Sequence, residues 1–273
     1  MRLALTFCIL MMACGAEPEP AIDDTPPPSE PPPSGPKEWK LVWSDEFSYT
    51  GKPDPAKWGY DIGGSGWGNN ELQCYTDAEK NSRVEGGNLI IETHREPVSR
   101  RDYTSARLVS RNKGDWTYAK VEARAKLPVG RGTWAAIWML PTESKFGTWP
   151  RSGEIDIMEH VGFDEGRVHG TVHTDAFNHL KNTQQGNSVM LNDATSAFHV
   201  YSAEWTATEI TFKIDGIAYF TFPNRGGVSN WPFSERFHLL FNIAIGGNWG
   251  GQKGIDDSIF PQRMEVDYVR VYQ

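Results

Sequence analysis

The chain has 273 residues, of which 38% are hydrophobic and 23% charged, and its formal net charge is −8 at pH 7. This length and composition suffice for one large β domain or two small ones with a buried core. Binding to a nucleic-acid backbone requires clustered Lys and Arg, so the acidic balance argues against nucleic acid as a partner. The aromatic content is high, with 11 Trp, 9 Tyr and 13 Phe. Such rings suit both a protein core and a sugar-binding surface.

The first 14 residues are similar to a bacterial lipoprotein signal peptide. Arg2 supplies a positive start, residues 3–13 form an apolar run, and Cys14 follows. The run is too short to span a bilayer, which takes about 20 residues. We therefore expect export, cleavage before Cys14 and lipidation of Cys14, which would anchor the protein to a membrane of the cell envelope. An ordinary cleaved signal, which would release a secreted protein, is the alternative.

Residues 15–37 form a Pro-rich linker with two Pro triplets among Ser and acidic residues. This composition favours an extended, semi-rigid spacer. One folded domain is expected over residues 38–273. Cys8 would leave with the signal and Cys14 would carry lipid, so Cys74 would stand alone and form no intrachain disulfide. We expect a monomer.

From residue 38 onward, short strand-like segments alternate with Gly, Pro and Asn turns. Val121, Ala123 and Ala125 alternate with charged residues, which is typical of a half-buried strand. Asp215-Gly216 between two apolar segments predicts a hairpin. Few stretches have a helical period, and the pattern predicts an all-β sandwich in one domain. The other predicted strands cover residues 88–93, 106–111, 133–140, 167–174, 198–205, 211–215, 217–222, 236–245 and 264–272.

Three acidic residues lie within residues 154–159, separated by apolar residues. Glu154 and Asp156 share one face of a strand, whereas Glu159 is five residues from Glu154 and would face the other way. A helix would leave Glu154 and Glu159 about 140° apart. One extra residue at positions 157–158, a β-bulge, would return Glu159 to the face of the other two acids. The sequence therefore predicts a bulged strand on which three acids converge.

Convergent carboxylates repel one another and are costly unless a proton, a metal or a reaction requires them. Two carboxyl groups on either side of a glycosidic bond are the usual apparatus for its hydrolysis. A third acid, here Asp156, can share a proton with a neighbouring acid. This sharing helps to keep one carboxyl group protonated while the other is ionised. The alternative for acids that alternate along a strand is a solvated outer face.

Histidines near the acids raise the question of a metal site. His169 and His173 are four residues apart on one predicted strand, about 13 Å, which is too far for them to share one zinc ion. We therefore expect no zinc catalysis. His173 is the candidate to lie beside the acids, and an ordinary core or surface histidine is the alternative.

Tryptophans are the second candidate feature of a binding site. Trp134 and Trp138 have even spacing, which places them on one face of a predicted strand. Core packing is the alternative, but a cleft lined with tryptophan would explain more of them, and glycines let loops approach a ligand closely. We expect loops 63–70 and 143–149 to shape this cleft. It would also account for Trp149, Trp205, Trp249 and the Gly-rich run 246–251.

These motifs together resemble glycoside hydrolase family 16, in its laminarinase-like branch. The most specific is Gly-Glu-Ile-Asp-Ile-Met-Glu at residues 153–159. The resemblance implies a jelly-roll, concanavalin A-like sandwich with a substrate cleft across its concave sheet. It extends over nearly the whole domain, through residues 43–47, 69–73, 87–89, 122–128, 241–247 and 266–272.

The resemblance also implies roles for individual residues. Glu154 would be the nucleophile, Glu159 the general acid/base and Asp156 the assisting acid, with retention of configuration. No catalytic cofactor is implied. The resemblance does imply a structural calcium ion, with oxygen ligands from Glu46, the Gly87 carbonyl and Asp267. The implied sugar contacts, with Trp149 added from the tryptophan pattern, are Trp134, Trp138, Trp149, Asn70, Arg107 and His173.

The expected function is that of a retaining endo-β-1,3-glucanase acting on laminarin-like or mixed-linkage β-glucan. Galactan hydrolysis, of the agarase or carrageenase kind, is an alternative on the same fold. A non-catalytic β-glucan-binding protein is a second alternative, although the acids that such a protein would lack are present. A transglycosylase is a third, because a sugar can capture a glycosyl-enzyme in place of water.

Overall fold

The computed structural model describes residues 38–273, and residues Trp39–Gln273 form one compact unit. The expected signal peptide, the lipidation site Cys14 and the Pro-rich linker lie outside the described residues. The strands are β1 (Leu41–Asp45), β2 (Gly59–Tyr60), β3 (Gln73–Tyr75), β4 (Ser82–Glu85), β5 (Asn88–Val98), β6 (Arg101–Ser105), β7 (Arg107–Val109), β8 (Asp115–Trp116), β9 (Lys120–Lys126), β10 (Thr133–Pro141), β11 (Glu154–Val161), β12 (Arg167–His173), β13 (Gln185–Met190), β14 (His199–Trp205), β15 (Glu209–Ile214), β16 (Ile217–Pro223), β17 (Phe237–Ile245) and β18 (Gln262–Tyr272), with short 3₁₀ helices at His179–Lys181 and Asp257–Ile259.

The strands form two sheets. The first has the order β16-β15-β14-β9-β18-β5-β6-β3, with β1 beside β18 and β4 beside β5. The second, which we call the cleft sheet, has the order β13-β12-β11-β10-β17-β7-β2, with β8 beside β17. One hydrophobic core contains side chains from both sheets, such as Val121 of β9 and Ile137 of β10. The arrangement is a jelly-roll β-sandwich, which confirms the predicted fold class.

Alternation of apolar and charged residues produces the expected half-buried strands. In β9, Val121, Ala123 and Ala125 are buried, and the charged residues between them are partly exposed. Ile214 pairs with Ile217 across Asp215-Gly216, which confirms the predicted two-residue hairpin between β15 and β16. The predicted half-buried strand and the predicted hairpin are therefore both confirmed.

The centre of the cleft sheet is the most deeply buried part of the fold. All nine residues of β17 are buried. In β10, the even-numbered Trp134 and Trp138 are partly exposed, while Ala135 and Ile137 between them are buried. The outward face of β10 is therefore rich in tryptophan, and this face supports the candidate site.

Two further observations bear on the cysteines and on membranes. Cys74 is buried and forms no disulfide among the described residues. Over residues 38–273, none of the helices has the length and apolar character needed to cross a membrane.

Candidate active site

Strand β11 contains the predicted bulge. Asp156 and Glu159 are three positions apart on β11, but their partners on β12, Thr171 and His169, are only two positions apart. The pairing of β11 with β10 shows the same irregularity. The extra residue at positions 157–158 confirms the predicted bulge.

The bulge separates the acids from the apolar residues of β11. Glu154, Asp156 and Glu159 all line one cleft on the outer face of the cleft sheet. The side chains between them pack in the core, and these are Ile155, Ile157 and Met158. Three acids therefore face the same space, as predicted.

The cleft has a volume of about 610 Å³. This size is typical of a site that binds a ligand of several rings. Strands β7, β10, β11 and β17 provide its floor, and loops provide its walls. The wall residues include Asp61, Trp67, Gly68, Asn69, Ser144, Trp149, Ser152, His179 and Leu180.

Glu154 and Glu159 each accept a hydrogen bond from a tryptophan indole. Trp149 Nε1 donates to Glu154 Oε2 at 2.8 Å. Trp134 Nε1 donates to Glu159 Oε1 at 3.0 Å. An N–H that donates to a carboxylate favours its ionised form and fixes its orientation. The two tryptophans therefore position the two glutamates as well as lining the cleft.

His173 lies beside the acids, as predicted. Its Nε2 is 3.4 Å from Asp156 Oδ2 and 3.9 Å from Glu154 Oε1. The Trp149 ring lies over His179, with ring centroids 4.8 Å apart, and His179 also contacts the edge of His173. The loop that carries His179 is therefore part of the packing around Glu154.

Burial makes ionisation of the three acids costly. It raises the pKa of Glu154 to about 8, and the charge of Asp156 adds to this effect, while His173 and the Trp149 N–H oppose it. Burial raises the pKa of Glu159 to about 7, against the effects of His173 and the Trp134 N–H. The pKa of Asp156 is also raised, first by burial and then by the charge of Glu159. At neutral pH the cluster therefore retains protons and shares them among its members.

Away from the acids, Arg107 lies between two tryptophans. Its guanidinium carbon is 4.8 Å from the ring centroid of Trp67 and 4.7 Å from that of Trp138. Its Nε is 3.0 Å from Asp61 Oδ2. The stacked cation and the ion pair hold Arg107 rigidly in the cleft.

A chain of hydrogen bonds fixes the other side of Trp138. Its Nε1 donates to Asn242 Oδ1 at 2.7 Å, and Asn242 Nδ2 donates to the Tyr75 hydroxyl at 3.0 Å. The Tyr75 hydroxyl donates to Glu71 at 3.3 Å, and Gln73 donates to the same Glu71 oxygen at 2.6 Å. This buried hydrogen-bond network fixes the orientation of the Trp138 indole.

Two further predicted residues have hydrogen-bond partners within the protein. The Asn70 side chain donates to Asn248 Oδ1 at 2.8 Å and ties loop 63–70 to the Gly-rich run, so its contact with sugar stays a prediction. The expectation that Trp205 lines the cleft is wrong. Trp205 is 1% exposed on β14 of the other sheet, and its Nε1 donates to the Phe233 carbonyl. Core packing explains this tryptophan.

Several cleft residues were not predicted. Trp67 and Ser144 lie in the two loops expected to shape the cleft, which confirms those loops but not the particular side chains. Glu71 belongs to a motif that carries the family resemblance, but no role was assigned to it. Asn242 likewise belongs to a motif of the resemblance without an assigned role, and His179 lies in the short 3₁₀ helix His179–Lys181, for which no local signal was found.

The described residues include one group of three possible metal ligands, and it is the acid cluster itself. Ligand atoms of Glu154, Asp156 and His173 lie within 4.8 Å of one another. His169, the other histidine of the predicted pair, contacts the Trp249 ring instead. The expected calcium ligands lie elsewhere.

Both carboxylates of the expected calcium site are in ion pairs with arginines. Glu46 binds Arg270 through two hydrogen bonds, at 2.8 and 3.0 Å. Asp267 Oδ2 accepts from Arg124 at 2.6 Å. Gly87, the third expected ligand, lies in the tight turn between β4 and β5. The oxygen donors fit calcium chemically, and both carboxylates are paired with arginines in this structure.

A family model described as "Glycosyl hydrolases family 16" matches residues 68–270. The chain is also 57% identical to a "Beta-glucanase" from Rhodothermus marinus over 244 residues, which cover 86% of this chain and 85% of the relative.

Two solved structures are similar in fold and in sequence. The laminarinase from Rhodothermus marinus matches with a TM-score of 0.85 and 56% identity, over 86% of this chain and 98% of that chain. A mutant of a non-specific endo-beta-1,3(4)-glucanase matches with a TM-score of 0.84 and 46% identity, over 87% of this chain and 96% of that chain. That structure holds 1,3-beta-D-cellobiosyl-glucose at its active site.

Proposed function

The chain belongs to glycosyl hydrolase family 16, whose members hydrolyse glycosidic bonds, and we propose that it is a retaining endo-β-1,3-glucanase. Its substrates would be laminarin-like or mixed-linkage β-glucans. The names of the similar proteins, a β-glucanase, a laminarinase and an endo-β-1,3(4)-glucanase, support this choice of substrate. The convergence of three acids on the bulged strand β11 is the observation that carries the chemical part of the proposal.

In the proposed reaction, Glu154 attacks the anomeric carbon while Glu159 protonates the leaving oxygen. A glycosyl-enzyme forms on Glu154. Glu159, now a carboxylate, takes a proton from water, and this water releases the sugar with its original configuration. Two inversions give net retention.

The raised pKa of Glu159 supports its role as general acid, whereas the raised pKa of Glu154 opposes its role as nucleophile unless a neighbour takes its proton. A pKa of about 7 lets Glu159 hold a proton near neutral pH, which a general acid requires. Glu154 must be ionised to attack, although its own pKa is raised to about 8. Asp156 can resolve this conflict by taking the shared proton, since its pKa is also raised. The indole of Trp149 and the imidazole of His173 then stabilise the Glu154 anion.

The proposal is tested by the products formed from laminarin, lichenan, agarose and carrageenan. We expect oligosaccharides from laminarin, and from lichenan if mixed linkages are accepted. Glu154→Gln keeps the size and hydrogen-bonding capacity of the side chain but removes the nucleophile, so turnover should fall by at least about 10³-fold. Products only from agarose or carrageenan would replace the glucanase proposal with a galactan hydrolase. Unchanged turnover in Glu154→Gln would exclude Glu154 as the nucleophile.

We also propose that Glu46, Gly87 and Asp267 bind a structural calcium ion. Its binding would exchange the two arginine ion pairs for ligation by oxygen atoms, which calcium prefers. A ligand that binds only the folded state raises the melting temperature. Melting of metal-free protein with and without added calcium tests this, and equal melting temperatures would contradict it.

Finally, we propose that the protein is exported and anchored to a bacterial membrane through lipid on Cys14. The apolar run before Cys14 and the Pro-rich residues 15–37 support a tethered catalytic domain. Mass spectrometry of the mature protein would show diacylglycerol on an N-terminal Cys14. A soluble protein that begins at another residue would contradict the anchor.

A further inference from the structure

The residues on the floor of the cleft form three rows that run across the strands. In the middle row, Asp156 pairs with Trp138, Trp138 with Leu240, and Leu240 with Val109. The row runs from β11 through β10 and β17 to β7. With strands about 4.8 Å apart, it extends about 14 Å from the acids. Beyond Trp138 this row is apolar, and it forms a track on which sugar rings can rest.

The first row lies on one side of this track, and its polar side chains are positioned by contacts within the protein. It consists of Glu159, Ala136, Asn242 and Arg107. Both side-chain atoms of Asn242 are hydrogen-bonded, to Trp138 and to Tyr75. Arg107 is stacked between two tryptophans and paired with Asp61. Far from the acids, Asn242 and Arg107 are therefore held in place by contacts within the protein.

The third row, on the opposite side of the track, is different. His238 pairs with Leu140 across β17 and β10, and Arg111 follows β7 two residues after Val109. Both side chains line the cleft. His238 Nδ1 has no hydrogen-bond partner among the described residues. Arg111 has one hydrogen bond, from a terminal nitrogen to the Thr142 carbonyl, and a guanidinium has five N–H donors.

His238 is neutral near neutral pH. It is 5% exposed, and burial lowers its pKa to about 4, with further lowering by the charges of Arg111 and Arg107. A neutral imidazole offers one donor and one acceptor, and a buried nitrogen without a partner costs about 1–3 kcal/mol. A ligand that supplied the missing partner would recover this cost.

We propose that His238 and Arg111 form a distal glucosyl subsite. They would bind hydroxyl groups of a sugar unit that rests on Leu240 and Val109, several units away from the bond that is cleaved. Hydroxyl groups fit this pair because they donate to an imidazole nitrogen and accept from a guanidinium. The inference rests on the proposed glucanase function. The subsite also gives a direction to substrate binding. A longer substrate would gain contacts away from the acids, toward β7.

The dependence of kcat/KM on substrate length tests this subsite. Only productive complexes contribute to kcat/KM, so a distal contact matters only for substrates long enough to reach it. Arg111→Met should lower kcat/KM about tenfold for laminarihexaose, the loss expected for one hydrogen bond to a charged group. Hydrolysis of laminaritriose should change by less than about twofold. Arg111 is exposed, so this variant should fold normally.

Arg263→Met is the matched control, because Arg263 lines a separate groove and is paired with Glu265. It should leave both substrates unaffected. His238→Leu should show the same selective loss as Arg111→Met. Equal loss for both substrates, or no loss for laminarihexaose, would overturn the subsite while leaving the glucanase proposal intact. Failure of the unmutated enzyme to hydrolyse either substrate would remove the glucanase proposal and the subsite with it.

Discussion

At the scale of single residues, the two indole hydrogen bonds give the two glutamates different environments. Trp149 donates to Glu154, which His173 also approaches, whereas Trp134 donates to Glu159. Each N–H lowers the pKa of its own carboxyl against the opposing effect of burial. The tryptophans therefore act on the chemistry as well as on sugar binding.

Replacing either tryptophan by phenylalanine should shift one limb of the pH profile of kcat/KM. Trp149→Phe raises the pKa of the nucleophile, so the acidic limb should move to higher pH. Trp134→Phe raises the pKa of the general acid, so the basic limb should move to higher pH. A hydrogen bond to a charged group contributes about 1.5–3 kcal/mol, so shifts of about one to two pH units are expected. Initial rates from pH 4 to 9 measure both limbs.

Trp231→Phe is a suitable control for both variants. The Trp231 indole is buried in the core, and its Nε1 has no hydrogen-bond partner among the described residues. Its replacement should leave both limbs in place. The account of the two indoles would be wrong if Trp149→Phe and Trp134→Phe shifted the same limb.

The acids could be predicted from the sequence, but their hydrogen-bond partners could not. Glu154, Asp156 and Glu159 lie within one strand, where the alternation of faces is a local property. Trp134 reaches Glu159 from a different strand, 25 residues earlier. That contact depends on the register between β10 and β11, which residue patterns do not specify.

At the scale of single elements, the bulge in β11 determines which face carries Glu159. If all residues of β11 were kept but paired regularly, without the bulge, the odd spacing would direct Glu159 into the core, among Ile155 and Ile157. With the bulge, pairing continues undisturbed on both sides, since Glu159 still pairs with Ala136 and His169. The bulge therefore changes the face of one side chain without shifting the rest of the sheet.

Deletion of Met158 tests this view of the bulge. The remaining Glu-Ile-Asp-Ile-Glu has regular spacing, so Glu159 should stay on the cleft face and keep its partners. We expect a loss of stability of about 2–5 kcal/mol from the missing buried side chain. Misplacement of an acid by about 1 Å costs about 10²-fold, so hydrolysis should remain measurable at about this level. Initial rates and thermal melting provide the two measurements.

Glu159→Gln is the reference for complete loss of the general acid. A folded Met158 deletion as inactive as Glu159→Gln would show that the acid had left the cleft face. The parity argument for the bulge would then be wrong.

Long strands could be predicted from the sequence more fully than short ones. Strand β9 was predicted because its apolar residues alternate over seven positions. Strands β2, β3 and β8 are only two or three residues long and were missed. Such short segments have no period of their own, and they form because longer neighbours offer an edge for pairing. Trp205 was misplaced for a related reason, since residue type alone does not tell a core tryptophan from a cleft tryptophan.

At the scale of the whole molecule, the two sheets differ in the residues on their outer faces. The outer face of the first sheet carries ion pairs such as Lys126 with Glu265 and Arg124 with Asp267. The cleft sheet instead presents tryptophans, three acids and the apolar track. Alternation in the sequence predicted two-faced strands and a sandwich. The order of the strands, which brings β7 and β17 next to β10, depends on long-range pairing and was implied only by the family resemblance.

In the proposed reaction, Glu154 and Glu159 hydrolyse a β-glucan in two inverting steps. Proton NMR of the first product released from laminarin tests this most directly, because the anomeric configuration is visible before mutarotation. We expect the β-anomer at the earliest times, followed by slow appearance of the α-anomer. Release of the α-anomer first would contradict the double displacement and the role of Glu154 as nucleophile.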